Sequence, residues 1–254
     1  MLKKILEERL KTAPPEMSVS VVLRELESGA AVFEFNPALQ MKSASTIKVL
    51  IMAEAMRQLE AKLLNPNRHI IISDSEKLED SVIGLLEVES LTLNDLLTMM
   101  IIVSDNTCTN VLIDLLGMNR INDFARVLGL KQTVLARKML DFKAAAAGRE
   151  NFTSAADLAT LFFLIGRRKL PSSAKMLDIL YHQKQGAFRR YLPEEVRIAH
   201  KPGGLPDIAH DAGIIRAGTA DYVWCVTTSG ASNSAGNELI GDLTKLIYDN
   251  LNKQ

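Results

Sequence analysis

The sequence predicts an α+β fold: a five-stranded antiparallel sheet flanked by the terminal helices, with an all-helical domain inserted between its halves. Three observations predict it. Apolar residues alternate with a period of two near both chain ends, in residues 19–35 and again in 196–228. The long middle has helical spacing instead. Neither end holds enough strands for a stable sheet alone, so the two ends are read as one sheet. The expected boundaries are 1–40 with 190–254 for the sheet domain, and 41–189 for the helical domain.

Each element follows from local chemistry. Residues 2–12 read as an amphipathic helix, since Leu2, Ile5, Leu6 and Leu10 share one face, and Ala13-Pro14-Pro15 ends it. Residues 19–26 and 31–35 are β-rich and separated by Glu27-Ser28-Gly29, a hairpin signal. Residues 45–64 are helical, and Pro66 closes them. Residues 69–73 fit a short strand or an extended loop. Thr92, with Asp95 three residues on, is close to a capping box and opens the next helix. After the polar Ser104-Asp105-Asn106, residues 107–116 form a helix stopped by Gly117. Residues 122–128 form another, with Gly129 at its C-cap. Residues 131–152 are the least regular part, with a short helix at 144–147. Residues 154–165 are an apolar helix, Pro171 starts the next, and 186–193 connect back to the sheet. Residues 196–200 alternate up to Lys201-Pro202-Gly203-Gly204, and 212–217 with 222–228 form a second hairpin. Leu239, Ile240, Leu243, Leu246, Ile247 and Leu251 line one stripe of a final helix.

Composition removes several function classes. Apolar residues make up 47% and charged residues 24%, as in an ordinary globular chain. Lys plus Arg equals Asp plus Glu at 30 each, which argues against nucleic acid or an anionic membrane as partner. No stretch reaches the ~18 apolar residues of a membrane span. Cys108 and Cys225 each lie in an apolar run and read as two buried free thiols. The charged start, Met1-Leu2-Lys3-Lys4-Ile5-Leu6-Glu7-Glu8, lacks the apolar core of a secretory leader. As given, the chain reads as a cytoplasmic monomer; a secreted chain whose leader had been removed would read the same. His69, His182, His200 and His210 lack metal-ligand spacing, so no metal and no cofactor is expected.

Chemistry concentrates in three short motifs. Ser45 and Lys48 are three apart, so a helix puts them on one face. A serine at a helix start lies beside unpaired backbone N–H groups and the positive end of the helix dipole. Taken alone, this pattern also fits a plain N-cap and a solvated lysine. Ser104-Asp105-Asn106 and Lys201-Pro202-Gly203 follow in order. S-x-x-K, S-D-N and K-T-G together mark class A β-lactamases and penicillin-binding proteins. The chain resembles that superfamily, and class A most closely. The resemblance extends from Val19 to the last helix, and includes Thr107, Asn110 and His210-Asp211-Ala212-Gly213 with their surroundings.

The resemblance implies roles. Ser45 would be the nucleophile and Lys48, lowered by burial and by Lys201, its base. Ser104 would pass a proton to the departing nitrogen, and Asn106 would hold the substrate amide and Lys48. Asp105 would be structural, and Asn110 would brace the loop preceding the third motif. The backbone N–H groups of Ser45 and Gly204 would bind the oxyanion. Lys201, with Gly203, would receive the substrate carboxylate.

Two departures stand out. Pro202 replaces the hydroxyl residue of K-T-G and has no N–H, so it fits only a sheet edge or strand end, and carboxylate binding should weaken or change. Aligning Thr133, Leu135 and Arg137 with the family's long loop puts Met139 where the deacylating glutamate belongs, with Asp141 two residues on and Lys143 at a downstream asparagine position. Either Asp141 reaches in, or the acyl-enzyme is long-lived; the second is the working expectation. The implied partner is a small molecule, a β-lactam or a related amide or ester. The alternatives are a cytoplasmic esterase, amidase or peptidase on the same scaffold, or a penicillin-binding sensor that never turns over. His200 is read either as a pocket residue or as structural, Trp224 as core, and residues 74–80 as a solvated acidic loop.

Overall fold

Apolar runs such as Val21-Val22-Leu23 allow burial on both faces, and the sheet uses this. The computed structural model describes residues 1–253. Helix α1 (Leu2–Lys11) precedes strands β1 (Ser18–Glu25) and β2 (Ala31–Phe35). A two-residue strand β3 (Met41–Lys42) leads into a 3₁₀ turn, Ala44–Ile47, and helix α2 (Lys48–Glu60). Strands β4 (His69–Ile71) and β5 (Ser90–Thr92) then pair with each other. Helices α3 (Leu93–Ile102), α4 (Asn106–Leu116), α5 (Met118–Val127) and the short α6 (Phe142–Ala146) follow. Strand β6 (Phe152–Thr153) pairs with β3. Helices α7 (Ala155–Gly166) and α8 (Ser173–Tyr181) return the chain to β7 (Ile198–Leu205), β8 (Ile208–Ala217), β9 (Ala220–Ser229) and α9 (Asn233–Leu251).

The five long strands make the expected sheet, in the order β2-β1-β9-β8-β7 with every pairing antiparallel. The alternation of β9 assigns its side chains to two cores. Trp224 and Val226 lie in the cluster with Leu6, Leu10, Leu239, Leu243 and Ile247 from α1 and α9. Val223 and Cys225 lie in the other cluster, with Leu158, Phe162 and Ile165 of α7 and the interior of α2, α3 and α4. Helix α7 packs on β1, β8 and β9, so the helical middle of the chain itself covers the sheet's second face. Trp224 satisfies its indole N–H on Thr244 Oγ1 at 2.9 Å. Both cysteines are buried free thiols.

Two features position the site. β7 is an edge strand, and Pro202 lies inside it opposite Asp211. A proline is tolerated there because an edge strand lacks one neighbour, and the missing N–H breaks no central ladder. β7 also lies directly against the 3₁₀ turn. A methyl group at Gly203 would sit 3.0 Å from the Ser45 backbone nitrogen and 3.1 Å from Ala44 Cβ. Glycine lets strand and turn approach this closely without crowding.

Candidate active site

Ser45 falls on the 3₁₀ turn rather than in the α-helix that the apolar pattern suggests from residue 45 onward. The turn is tightened by Ala44, which takes a left-handed φ of 43°. Ser104 is also left-handed, at 61°, and so is Leu140, at 59°. All three line the pockets that Ser45 opens into. Such backbone costs about 1–3 kcal/mol per residue and persists only where surrounding contacts fix it. Here the fixing contacts are visible for the Ser104 turn. Asp105 caps α4 by accepting the Cys108 N–H at 2.9 Å, and its other oxygen accepts the Ile83 N–H at 3.0 Å. Thr107 Oγ1 accepts the Leu78 N–H at 2.9 Å. The same two side chains thereby clamp residues 78–83 over the site.

Lys48 and Lys201 are fully buried and converge on one hydroxyl. Lys48 Nζ lies 3.1 Å from Ser104 Oγ, and Lys201 Nζ lies 3.0 Å from it. Lys48 also donates to the Ser104 carbonyl at 2.7 Å and to Asn106 Oδ1 at 2.8 Å. Lys201 donates to the Pro202 carbonyl at 3.0 Å. Burial, and then the Lys201 charge, hold Lys48 well below the usual lysine range, against the opposing pull of Asp105 and Asp80. Burial pushes Lys201 down to about 7, with Asp211 opposing. A hydroxyl has two lone pairs and one proton. With an N–H from each lysine on its two lone pairs, the Ser104 proton is left to point into the cleft.

That cleft, of about 390 Å³, is lined by Ser45, Ser104, Asn106, Gly203 and Gly204, with Gln185, Asn233 and Asn237 opposite. A second pocket shares Ser45, Asn106 and Gly204 and continues past Met139, Leu140, Phe142 and Leu205. The structure therefore brings together Ser45, Ser104, Asn106, Gly203 and Gly204 around one cleft, with Lys48 and Lys201 buried beneath it.

Asp141 is placed otherwise. It is exposed and caps α6, accepting the Ala144 N–H at 2.8 Å, and it lines neither pocket. A carboxylate bound to its own helix start is held there, not aimed at Ser45. Met139 is buried in the helical core, and Asn110 grips its backbone from both sides. Asn110 Nδ2 donates to the Met139 carbonyl at 3.1 Å, and its Oδ1 accepts the Met139 N–H at 2.7 Å. This corrects the expectation for Asn110, which braces the Met139 loop and not the loop before the third motif. His200 also has a definite place. It is buried off the cleft, with Nδ1 2.8 Å from Asp211 Oδ1 and its ring stacked on Phe188.

The sequence reading missed several lining residues. Asp80 belongs to the run read as a solvated loop, yet it lines the second pocket and accepts the Asn106 amide at 3.4 Å. Its position depends on the clamp made by Asp105 and Thr107, which no local pattern announces. Gln185, Asn233 and Asn237 reach the cleft from a connection and from the first turns of α9. Among the described residues, no cluster of three or more His, Cys, Asp or Glu could hold a metal ion. Among the same residues, no helix is long and apolar enough to cross a membrane.

The model of a family described as "Beta-lactamase enzyme family" matches residues 1–251. Beta-lactamase PSE-4 of Pseudomonas aeruginosa is 26% identical over 206 residues, covering 78% of this chain and 72% of that protein. The crystal structure of a β-lactamase from Sphaerobacter thermophilus superposes with a TM-score of 0.87 at 27% identity, covering 100% of this chain and 97% of the other. The structure of PBP-A superposes with a TM-score of 0.89 at 24% identity, over 100% and 96% of the two chains, which is a likeness of fold.

Proposed function

We propose, because this chain belongs to the β-lactamase enzyme family, that it is a class A-like serine hydrolase that becomes acylated on Ser45 and loses the acyl group slowly. Its substrate is a β-lactam or a related amide or ester. The observation that carries this reading is the Ser104 hydroxyl shared by two buried lysines beside Ser45.

The steps balance with these residues alone. Ser45 Oγ bonds to the substrate carbonyl carbon while its proton passes to Lys48 Nζ. Burial suits Lys48 to this role, because a lysine held well below its usual range exists as the neutral amine more readily than a free lysine does. The oxyanion rests against the backbone N–H groups of Ser45 and Gly204. The C–N bond of a lactam or amide, or the C–O bond of an ester, then breaks. The leaving atom takes the Ser104 proton, and the Lys48 ammonium reprotonates Ser104. Water later adds to the acyl carbon, the bond to Ser45 breaks as Ser45 Oγ regains a proton from that water, and the acid departs. Met139 supplies no proton acceptor for that last step, and Asp141 is engaged on α6. The carboxylates that do line the second pocket, Asp80 and Glu150, are engaged by Asn106 and by Arg137, so deacylation is slow.

A chromogenic cephalosporin tests this directly. Turnover should be slow, follow a stoichiometric burst, and disappear in Ser45→Ala. An absent burst, together with an unmodified protein mass at all times, contradicts acylation. The Met139 observation also favours a second reading, a sensor that is acylated once. A burst with no turnover after it selects that reading.

A further inference from the structure

One connecting segment ties the two sides of the cleft together. Residues 183–188 follow α8 and lead toward the sheet, and Gln185 and Gly186 line the cleft with Val103 and Ser104. The segment is anchored at both ends. At its start Gln183 is buried, and its Nε2 donates to the Ile101 carbonyl at 2.6 Å. The Lys184 N–H donates to the Ile102 carbonyl at 3.0 Å. Both carbonyls belong to the last turn of α3, where a helix leaves acceptors unpaired. Ser104 follows two residues later.

At its other end the segment crosses a buried acid. Asp211 of β8 accepts the Phe188 N–H on Oδ2 at 3.1 Å, and its Oδ1 lies 2.8 Å from His200 Nδ1. Phe188 stacks on the His200 ring, with centroids 5.6 Å apart. Gly186 passes so close that a Cβ there would meet Asp211 Oδ2 at 2.6 Å and His200 Cε1 at 2.8 Å. Its φ of 115° also favours glycine. Asp211 pairs with Pro202 of β7, next to Lys201. The anchors therefore stand on the elements that carry Ser104 and Lys201, whose side chains meet at 3.0 Å. Gln183, His200 and Asp211 themselves line neither pocket beside Ser45.

We propose, resting on the acyl-enzyme reading above, that residues 183–188 are a strap that sets the spacing of Ser104 and Lys201 across the cleft, with Gln183 and Asp211 as its positioning residues. A hydroxyl that relays a proton works only at hydrogen-bond distance, and a misplacement of about 1 Å can cost ~10² in rate.

Rapid-quench intact mass with benzylpenicillin tests this, since it yields the limiting acylation rate and the half-saturating concentration separately. Asp211→Ala removes one anchor and should lower the limiting rate by about 10–10², with a smaller rise in the half-saturating concentration. Asp211→Asn keeps the anchor. Its amide oxygen accepts the Phe188 N–H, and its NH₂ faces His200 Nδ1, which accepts in the other tautomer. That variant should stay within about threefold of wild type, the worth of one modest hydrogen-bond change. Asp211→Ala also leaves His200 buried without its partner, so Gly186→Ala carries the test by another route. It drives the strap off Asp211 without removing a bonding group, and it should slow acylation as Asp211→Ala does. The strap is overturned by Asp211→Asn as slow as Asp211→Ala, by a wild-type rate in Gly186→Ala, or by losses confined to the half-saturating concentration. Each of those results leaves the acyl-enzyme reading standing. A wild-type protein that forms no adduct, or one that forms equally in Ser45→Ala, overturns both.

Discussion

Ser104 is where the residue-scale chemistry meets. Its hydroxyl lies within 3.1 Å of Lys48 Nζ and 3.0 Å of Lys201 Nζ, so removing it affects protonation of the leaving group and the packing of two buried lysines. Ser104→Ala should lower the acylation rate by about 10²–10⁴, the range for loss of a positioned proton donor. A stopped-flow burst measurement checks this, and an unchanged burst rate removes Ser104 from the mechanism. The lysines themselves leave a signature in stability. Lys201 is pushed down to about 7 when folded, against about 10.4 for a free lysine. Between those values the unfolded chain holds the extra proton, so stability rises as pH rises through that window. Below about 7 the folded protein is protonated too, and the whole destabilisation is present. The melting temperature should therefore climb from pH 6 to pH 9 more steeply in wild type than in Lys201→Met. Equal slopes would show that Lys201 keeps its ordinary proton affinity.

At the scale of elements, the Met139 loop decides the fate of the acyl group. Asn110 holds the Met139 backbone through both of its amide atoms, and the side chain enters the helical core. Met139→Glu puts a carboxylate on that pinned backbone beside the pocket that Ser45 lines. It should shorten the adduct lifetime by about 10²–10⁴, the usual worth of a positioned base. It should also lower stability, because a core side chain becomes charged. An adduct lifetime that does not change would show that water access, not a missing base, limits deacylation. The Ser104 turn depends in a different way on Asp105, which caps α4 and holds Ile83. Asp105→Ala should cost about 1–2 kcal/mol from the cap alone, measured by denaturant unfolding.

These elements show what the sequence made legible. Ser45, Lys48, Ser104 and Lys201 stood out because their motifs, in that order, resemble those of a known family whose chemistry uses those residue types. The capping box at Thr92 and Asp95 was equally plain, since its partners are local. What stayed hidden depends on distant contacts. The left-handed Ala44 lies in the 3₁₀ turn where β7 approaches at Gly203, a contact between residues far apart in sequence. Asp80 looked like one acid among several until the clamp from α4 fixed its loop over Asn106. Asn237 lies on an ordinary polar face of α9, and only its bond to Asn233 gives it direction.

Over the whole molecule, one sheet joins two cores. Trp224 is the only tryptophan and lies in the core between the sheet and α9. The helices around α2 form the other core, which shares β1, β8 and β9 through α7. The cleft lies where the 3₁₀ turn meets edge strand β7, so the site exists only while both cores are intact. Tryptophan fluorescence and far-UV circular dichroism should therefore report one coincident unfolding transition. Separate midpoints would show that the helical core opens independently.

The central claim is that Ser45 accepts an acyl group and releases it slowly. A time course of intact mass after mixing with a penicillin tests it most directly. The account predicts a single covalent adduct of one penicillin mass, absent in Ser45→Ala and persisting long after free penicillin is removed. An unmodified mass at every time point, or an adduct that forms equally in Ser45→Ala, would contradict it.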